Sequence, residues 1–240
     1  MEFALVLLIG LIAGTLGGIV GFGSSIMLMP VLVLVFGPRE AVPIMAIASI
    51  MANASRVAAW WREVDWRVCA AYAATGIPAA SFGAQTLLRL PPGVVEAILG
   101  IFFIVMIPLR RWMMRRQWRL TLWHMAGVGA IIGYITGLVV STGPINTPFF
   151  LGYGLVKGAF LGTEALGSLA VFISKALTFR EMGAMPLEAL AKGLIIGCSL
   201  TAGSFIAKRF VQQLNAEKFH LLMDLLLTVA GLTMLWAAYF

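Results

Sequence analysis

Charged residues are scarce in this sequence of 240 residues. Only 11% of its positions are Asp, Glu, Lys or Arg, whereas 61% are hydrophobic. Soluble globular domains carry about 25% charged residues, so this composition excludes that class of protein. Several uncharged runs approach or exceed the roughly 20 residues that a helix needs to cross the hydrocarbon core of a bilayer. The sequence therefore predicts an all-α fold, a polytopic bundle of transmembrane helices.

Cysteine, histidine and catalytic motifs are also sparse. Cys69 and Cys198 both lie in apolar runs without a second thiol or a histidine nearby, which argues against a disulfide framework and favours two small buried residues. His220 and Asp224 lie one helical turn apart, and because no third ligand accompanies them they are interpreted as an interfacial histidine and a helix-packing aspartate. The sequence has no nucleophile elbow, phosphate loop or zinc-ligand motif. We therefore predict no enzymatic activity, no metal and no cofactor.

Acidic residues are fewer than basic ones, and the formal net charge is +7. Much of the excess lies in a linker over residues 110–119, which contains Arg110, Arg111, Arg115, Arg116 and Arg119. Basic loops mark the cytoplasmic side of a membrane protein, so the linker predicts orientation and not nucleic-acid binding. Contact with lipid headgroups is the alternative. If every segment crosses once, both termini lie in the cytoplasm.

About eight membrane segments are predicted, arranged as two repeats of four. The predicted segments are Phe3–Pro38, Ala41–Trp61, Val68–Leu88, Val94–Leu109, Met125–Val156, Gly158–Thr178, Leu187–Ala207 and Phe219–Phe240. An offset of 118 residues places Pro30 on Pro148 and Arg62-Glu63 on Arg180-Glu181. This self-similarity predicts an internal duplication. The first repeat, with the basic linker at its end, covers residues 1–119, and the second covers residues 120–240.

The first segment of each repeat is too long for a simple span and contains a cluster of glycine, serine, threonine and proline. A bent backbone in lipid must find hydrogen-bond partners inside the protein or in water. Both segments are therefore predicted to be broken or re-entrant and to line a cavity. The candidate substrate-binding residues are Gly21, Gly23, Ser24 and Ser25 in the first cluster and Ser141, Thr142, Gly143, Asn146 and Thr147 in the second.

These two clusters suit a small oxyanion. A helix that begins at a break directs its unpaired amides and positive dipole end toward the break, and discontinuous helices form the substrate sites of many secondary transporters. The alternative is that glycine and serine only permit close helix packing. Packing is favoured for Gly14, Gly18, Gly133 and Gly137, and substrate binding is favoured for the two clusters.

Two polar or charged side chains in the second segment of each repeat are further candidates. Asn53 and Arg56 share one helical face, and Glu164 and Lys175 share another, because residues separated by successive steps of four, three and four lie on one face. Charges at membrane depth are costly and usually face the interior of a bundle. Asn53, Arg56 and Lys175 are therefore predicted to bind substrate, and Glu164 to couple proton movement. The alternatives are that both cations snorkel to the membrane surface and that Glu164 only forms a salt bridge.

The glycine-rich stretch from Gly14 to Ser25, followed by Pro30 and repeated loosely between Gly133 and Pro148, resembles the sulfite exporter TauE/SafE family of membrane transporters. The resemblance covers essentially the whole chain. It implies a multi-pass protein of the bacterial inner membrane that moves sulfur-containing anions outward. Its partners would be a small sulfur-containing anion and the lipid bilayer, without nucleic acid, and homo-oligomerisation stays open.

We therefore predict a secondary transporter that exports sulfite or an organosulfonate by alternating access. Two alternatives stay open, an uncoupled anion channel and a non-transporting structural subunit of a membrane complex. A channel would use the same residues but would carry far larger currents, and a subunit would co-purify with a partner.

Overall fold

The computed structural model describes residues 2–20, 24–116, 119–139 and 142–210, together with positions 225, 228, 229, 231, 232, 235 and 236. The described residues form helices and turns and contain no strand. The helices are α1 (Glu2–Val20), α2 (Ser24–Trp60), α3 (Trp66–Arg89), α4 (Pro92–Arg115), α5 (Leu122–Leu138), α6 (Gly143–Gly152), α7 (Lys157–Glu181) and α8 (Leu187–Phe210). A short 3-10 turn, Trp61–Glu63, follows α2.

The first long apolar run is divided between two helices. Helix α1 ends at Val20 and α2 begins at Ser24, while Gly21 and Gly23 lie outside the described residues. Helix α2 is itself bent at Gly37, which has φ 75° and ψ 161°. Only glycine adopts this backbone conformation readily, so Gly37 is required by the bend. Arg39 and Glu40, between the predicted segments Phe3–Pro38 and Ala41–Trp61, are expected from the sequence to form a short loop. That prediction is wrong, because helical conformation resumes directly after Gly37.

The second long apolar run is divided in the same way. Helix α5 ends at Leu138, and the ten-residue helix α6 begins at Gly143, next to a proline that cannot continue a preceding helix. Helix α6 ends in a turn in which Gly154 has φ 104° and the Leu155 amide donates to the Phe150 carbonyl over 3.3 Å. A glycine with positive φ closes this helix end as it does many others.

The basic linker is partly helical. The fourth segment was predicted to end at Leu109, but α4 continues to Arg115 and so includes the first arginines of the linker. The guanidinium of Arg116 lies 5.2 Å from the centre of the Trp112 ring. The linker between the two predicted repeats is therefore shorter than the charge pattern indicated.

Four helical stretches among the described residues are long and apolar enough to cross a membrane. They are Glu40–Glu63, Gly93–Met113, Lys157–Glu181 and Leu187–Ile206. Leu5–Gly17, Met27–Gly37 and Leu122–Leu138 are apolar but shorter. The predicted segment Phe219–Phe240 falls largely outside the described residues. Apolar side chains such as those of Leu34, Phe82 and Ile131 are exposed on the surface of the bundle, as expected of a protein whose surface faces lipid. The count of eight segments and the two-repeat arrangement stay predictions.

Glycine residues bring two helix pairs into backbone contact. The most extensive contacts of the described bundle join α3 to α5 and α1 to α8. A Cβ atom on Gly137 would lie 2.2 Å from the Ala80 carbonyl oxygen, and one on Gly14 would lie 2.2 Å from the Leu200 carbonyl oxygen. The packing role predicted for Gly14, Gly133 and Gly137 is therefore confirmed, because Gly133 also lies against a backbone, that of Gly76.

Gly137→Ala is expected to destabilise the protein by about 1–3 kcal/mol, because an added methyl group forces α5 away from α3. Gly127→Ala is a matched control on the same helix, since no atom lies within 4 Å of a Cβ at that position. Thermal unfolding of the two variants in detergent measures the difference. Equal midpoints would show that close contact between α3 and α5 contributes little to stability.

Candidate functional site

The centre of the candidate site is the carboxylate of Glu164 on α7, whose side chain is 2% exposed. Its Oε2 accepts a hydrogen bond from Nη1 of Arg56 over 2.9 Å. Its Oε1 accepts from Oγ of Ser168 over 2.7 Å and from Nδ2 of Asn146 over 3.2 Å. We call Arg56, Asn146, Glu164 and Ser168 the Glu164 cluster. In this cluster, the buried carboxylate of Glu164 receives hydrogen bonds from donors on three helices, α2, α6 and α7.

Arg56 connects the Glu164 cluster to the first break. Its Nη2 donates to Oδ1 of Asn53, and Nδ2 of Asn53 donates to the carbonyl of Ser49 over 2.7 Å. The hydroxyl of Ser49 lies 3.3 Å from the hydroxyl of Ser25 in the first turn of α2. The predicted residues Ser25, Asn53 and Arg56 are thus joined by a continuous chain of polar contacts that ends at Glu164.

Asn146 connects the cluster to the second break. It lies in the first turn of α6 and is 1% exposed. Its backbone N–H donates to the carbonyl of Thr142 over 2.8 Å. Its side-chain oxygen Oδ1 has no hydrogen-bond partner among the described residues. Thr147 turns its hydroxyl to the carbonyl of Gly143, 2.9 Å away on the same helix. Asn146 is therefore the side chain by which α6 reaches Glu164.

Lys175 forms a second polar site about three turns further along α7. Its ammonium donates to the carbonyl of Thr136 over 2.9 Å and to that of Val139 over 2.5 Å. These carbonyls lie at the end of α5, where a helix has unpaired acceptors and a partial negative charge. With the residue only 1% exposed, the alternative that Lys175 snorkels to the surface is wrong.

The two polar sites lie on opposite sides of the same break. Lys175 holds the end of α5, and the Glu164 cluster holds the start of α6. The hydroxyls of Thr136 and Thr142 bridge the break over 2.5 Å. Among the described residues, no hydrogen bond or ion pair joins Lys175 to the Glu164 cluster. The two predicted cations, Arg56 and Lys175, therefore occupy separate positions.

Two neighbours of the site, Ser168 and Tyr72, were not predicted as site residues. Ser168 lies four residues after Glu164, a spacing that places both on one helical face and could have identified it. Tyr72 on α3 is 1% exposed and lies beside the Asn146 amide, with its ring centre 5.3 Å from that of Phe150. No local sequence signal marks Tyr72, because only the packing of α3 on α7 and the ring contact with Phe150 bring it there.

The remaining predicted residues are placed as follows. Ser24 begins α2 and is partly exposed, and Gly143 begins α6. Gly21, Gly23 and Ser141 lie outside the described residues. Within the described ranges, no group of three or more His, Cys, Asp or Glu side chains is placed to hold a metal ion.

A bundle of apolar helices with an ion pair buried beside a helix break is typical of multi-pass membrane proteins that move polar solutes. Residues 6–234 match the family model described as sulfite exporter TauE/SafE. The chain belongs to this family, and the resemblance seen in its glycine-rich segments is confirmed. Neither a curated protein nor a solved structure matches the chain significantly.

Proposed function

We propose that the protein is a secondary transporter that exports sulfite or an organosulfonate across the bacterial inner membrane by alternating access. The observation that carries the proposal is the buried Arg56–Glu164 ion pair beside the break between α5 and α6. A buried charge in a membrane protein is costly and is usually retained for function. Family membership supports a sulfur-containing anion as the substrate.

Arg56 is the residue best suited to bind the anion. Its guanidinium is a planar group with five donors and matches the paired oxygens of an oxyanion. In this conformation it donates to Glu164 and Asn53, and its side chain is 13% exposed against 2% for Glu164. Arg56 is thus the more accessible member of the pair. An incoming anion would take the place of the Glu164 carboxylate on Arg56.

Lys175 would act at longer range. Its charge is partly offset by the carbonyl oxygens at the end of α5, so it contributes positive potential to the break without direct contact with the anion. The side of the site formed by residues 141–147 would choose the substrate. The side formed by residues 21–25 would supply backbone donors at the first break. Equal effects of mutations on the two sides would contradict this division.

Sulfite flux into or out of proteoliposomes containing the purified protein tests the proposal. We expect saturable flux that is absent from empty liposomes. Unchanged flux after neutralisation of both Arg56 and Lys175 would remove the two cations from the binding site. Electrical currents far above the turnover of a transporter would identify an uncoupled channel instead, and inert protein that co-purifies with a partner would identify a structural subunit.

The orientation follows from the basic linker. With residues 110–119 on the cytoplasmic side, both termini would be cytoplasmic if each predicted segment crosses once. Accessibility of single cysteines introduced near the linker and near each terminus tests this topology. Labelling of the linker from the periplasmic side would overturn it.

Glu164→Gln is expected to retain transport and to lose its dependence on a pH gradient, because the amide keeps the size of the carboxylate but carries no titratable proton. The reason for assigning this role to Glu164 is that its carboxylate is buried and that a bound anion would take its place on Arg56. Glu188→Gln, at an exposed carboxylate beside Lys192, is the matched control and should keep the dependence. A retained pH dependence in Glu164→Gln would refute proton coupling through this residue.

A further inference from the structure

The side-chain oxygen of Asn146 is a buried acceptor that receives no hydrogen bond from the described residues. The residue is 1% exposed, so water does not reach this oxygen freely in this conformation. Buried polar groups in folded proteins are nearly always hydrogen-bonded, and one without a partner calls for an explanation such as a bound molecule. Asn146 also lies in the Glu164 cluster, where the proposed substrate binds. The unpaired oxygen therefore points to a ligand.

The orientation of the Asn146 amide is fixed by Glu164. Its Nδ2 lies 3.2 Å from Oε1 of Glu164, and an ionised carboxylate accepts hydrogen bonds but does not donate them. Rotation of the amide by half a turn would place two acceptor oxygens against each other. While Glu164 is ionised, Asn146 must therefore present Oδ1 to whatever lies beyond it, and that group must be a donor.

Arg56 imposes the opposite requirement on the same ligand. The guanidinium of Arg56 and the amide of Asn146 meet at the two oxygens of one carboxylate, Oε2 and Oε1 of Glu164. A guanidinium only donates hydrogen bonds, so the ligand group that it binds must be an acceptor, and a negative one is favoured. A ligand that contacts both residues must carry an anionic oxygen and a hydrogen-bond donor close together.

We propose that Asn146 selects anions that carry a hydrogen-bond donor, such as hydrogen sulfite or a hydroxyl-bearing sulfonate, over anions of the same charge without one. This inference rests on the proposed function and narrows its substrate class. A donor-bearing anion fills the unpaired acceptor when it binds. An anion without a donor leaves Asn146 Oδ1 unsatisfied, and a site with an unpaired polar group rejects such a ligand.

Two matched ligand pairs test the proposal on the purified full-length protein by calorimetric titration. The first pair is hydrogen sulfite and methanesulfonate, at a pH where both are monoanions. The second pair is 2-hydroxyethanesulfonate and ethanesulfonate, which differ by one hydroxyl. We expect the donor-bearing member of each pair to bind about two- to tenfold more tightly, the range for one neutral hydrogen bond.

Asn146→Leu is expected to reduce this ratio to about one, because leucine has a similar volume and no acceptor. Ser168→Ala is the matched control, since it also removes a donor from Oε1 of Glu164 but leaves Asn146 Oδ1 in place. The affinity ratio of this variant should stay above one.

Equal affinities within both pairs for the wild-type protein would overturn the proposal, even if Asn146→Leu does not fold. So would a ratio unchanged in folded Asn146→Leu. Binding of both members with equal affinity contradicts this inference alone, whereas binding of none of the four anions contradicts the proposed function as well.

Discussion

Arg56→Gln is expected to lower the free energy of unfolding by about 3–5 kcal/mol and to abolish sulfite transport. The substitution removes the guanidinium nitrogen that lies 2.9 Å from Oε2 of Glu164, and Glu164 itself is only 2% exposed. Breaking a buried ion pair by removing one partner leaves an uncompensated charge, which is more costly than the absence of both partners. Unfolding of the purified protein in detergent measures the first effect, and proteoliposome flux measures the second.

The double variant Arg56→Gln/Glu164→Gln separates the two effects. We expect it to recover most of the lost stability, because a neutral amide at position 164 no longer needs a cation. Transport should stay absent, because the guanidinium that binds the anion is still missing. Recovery of transport together with stability would show that Arg56 serves only to balance Glu164.

Arg62→Gln is the matched control for Arg56→Gln. Arg62 lies in the exposed 3-10 turn after α2, with its guanidinium 5.5 Å from the centre of the Trp61 ring. Substitutions at exposed positions of this kind usually change stability by less than about 0.5 kcal/mol. If Arg56→Gln unfolds no more readily than Arg62→Gln, the buried ion pair does not contribute to stability as inferred.

Lys175→Met is expected to destabilise the protein by about 2–6 kcal/mol, since a buried acceptor without a donor costs about 1–3 kcal/mol and two carbonyls lose their donor. Methionine fills a similar volume but cannot bind the carbonyls of Thr136 and Val139, which Lys175 holds at 2.9 Å and 2.5 Å. The end of α5 would then loosen, and the position of Asn146 across the break with it. Sulfite transport should fall even though Lys175 does not touch the Glu164 cluster.

Lys157→Met is the control for the lysine substitution, because Lys157 is exposed at the start of α7, the same helix. Unfolding measurements and flux per amount of folded protein compare the two variants. If the Lys175→Met variant is as stable as the Lys157→Met variant, the proposed role of Lys175 at the end of α5 is contradicted. Normal stability combined with lost flux would instead assign Lys175 to direct binding of the anion.

The sequence predicted which helical faces carry polar residues but not which faces meet. The spacing of Asn53 and Arg56 is local, and the hydrogen bond between them follows from it. The ion pair between Arg56 and Glu164 joins residues 108 positions apart in the sequence, and no local sequence pattern indicates that the two side chains meet. Lys175 illustrates the limit, because periodicity placed it with Arg56 as a second cation, while tertiary packing directs it to the end of α5.

The break between α5 and α6 was predictable because glycine and proline interrupt an uncharged run. The bend at Gly37 was not, because the neighbouring charges Arg39 and Glu40 are typical of a loop between two helices. A single glycine with positive φ changes the chain direction there without a loop. The predicted glycine packing in α1 and α5 was correct since small residues recur at helical spacing, whereas their partners on α3 and α8 required the structure.

The two glycine-rich contacts also determine what can move. Helix α3 comes from the first half of the sequence and packs on α5 from the second, and α1 from the first half packs on α8 from the second. Backbones in direct contact resist sliding, because no flexible side chain lies between them. We therefore expect each of these pairs to move as one unit built from both halves. In the proposed alternating access, the boundary between the moving parts would therefore not follow the linker that divides the sequence.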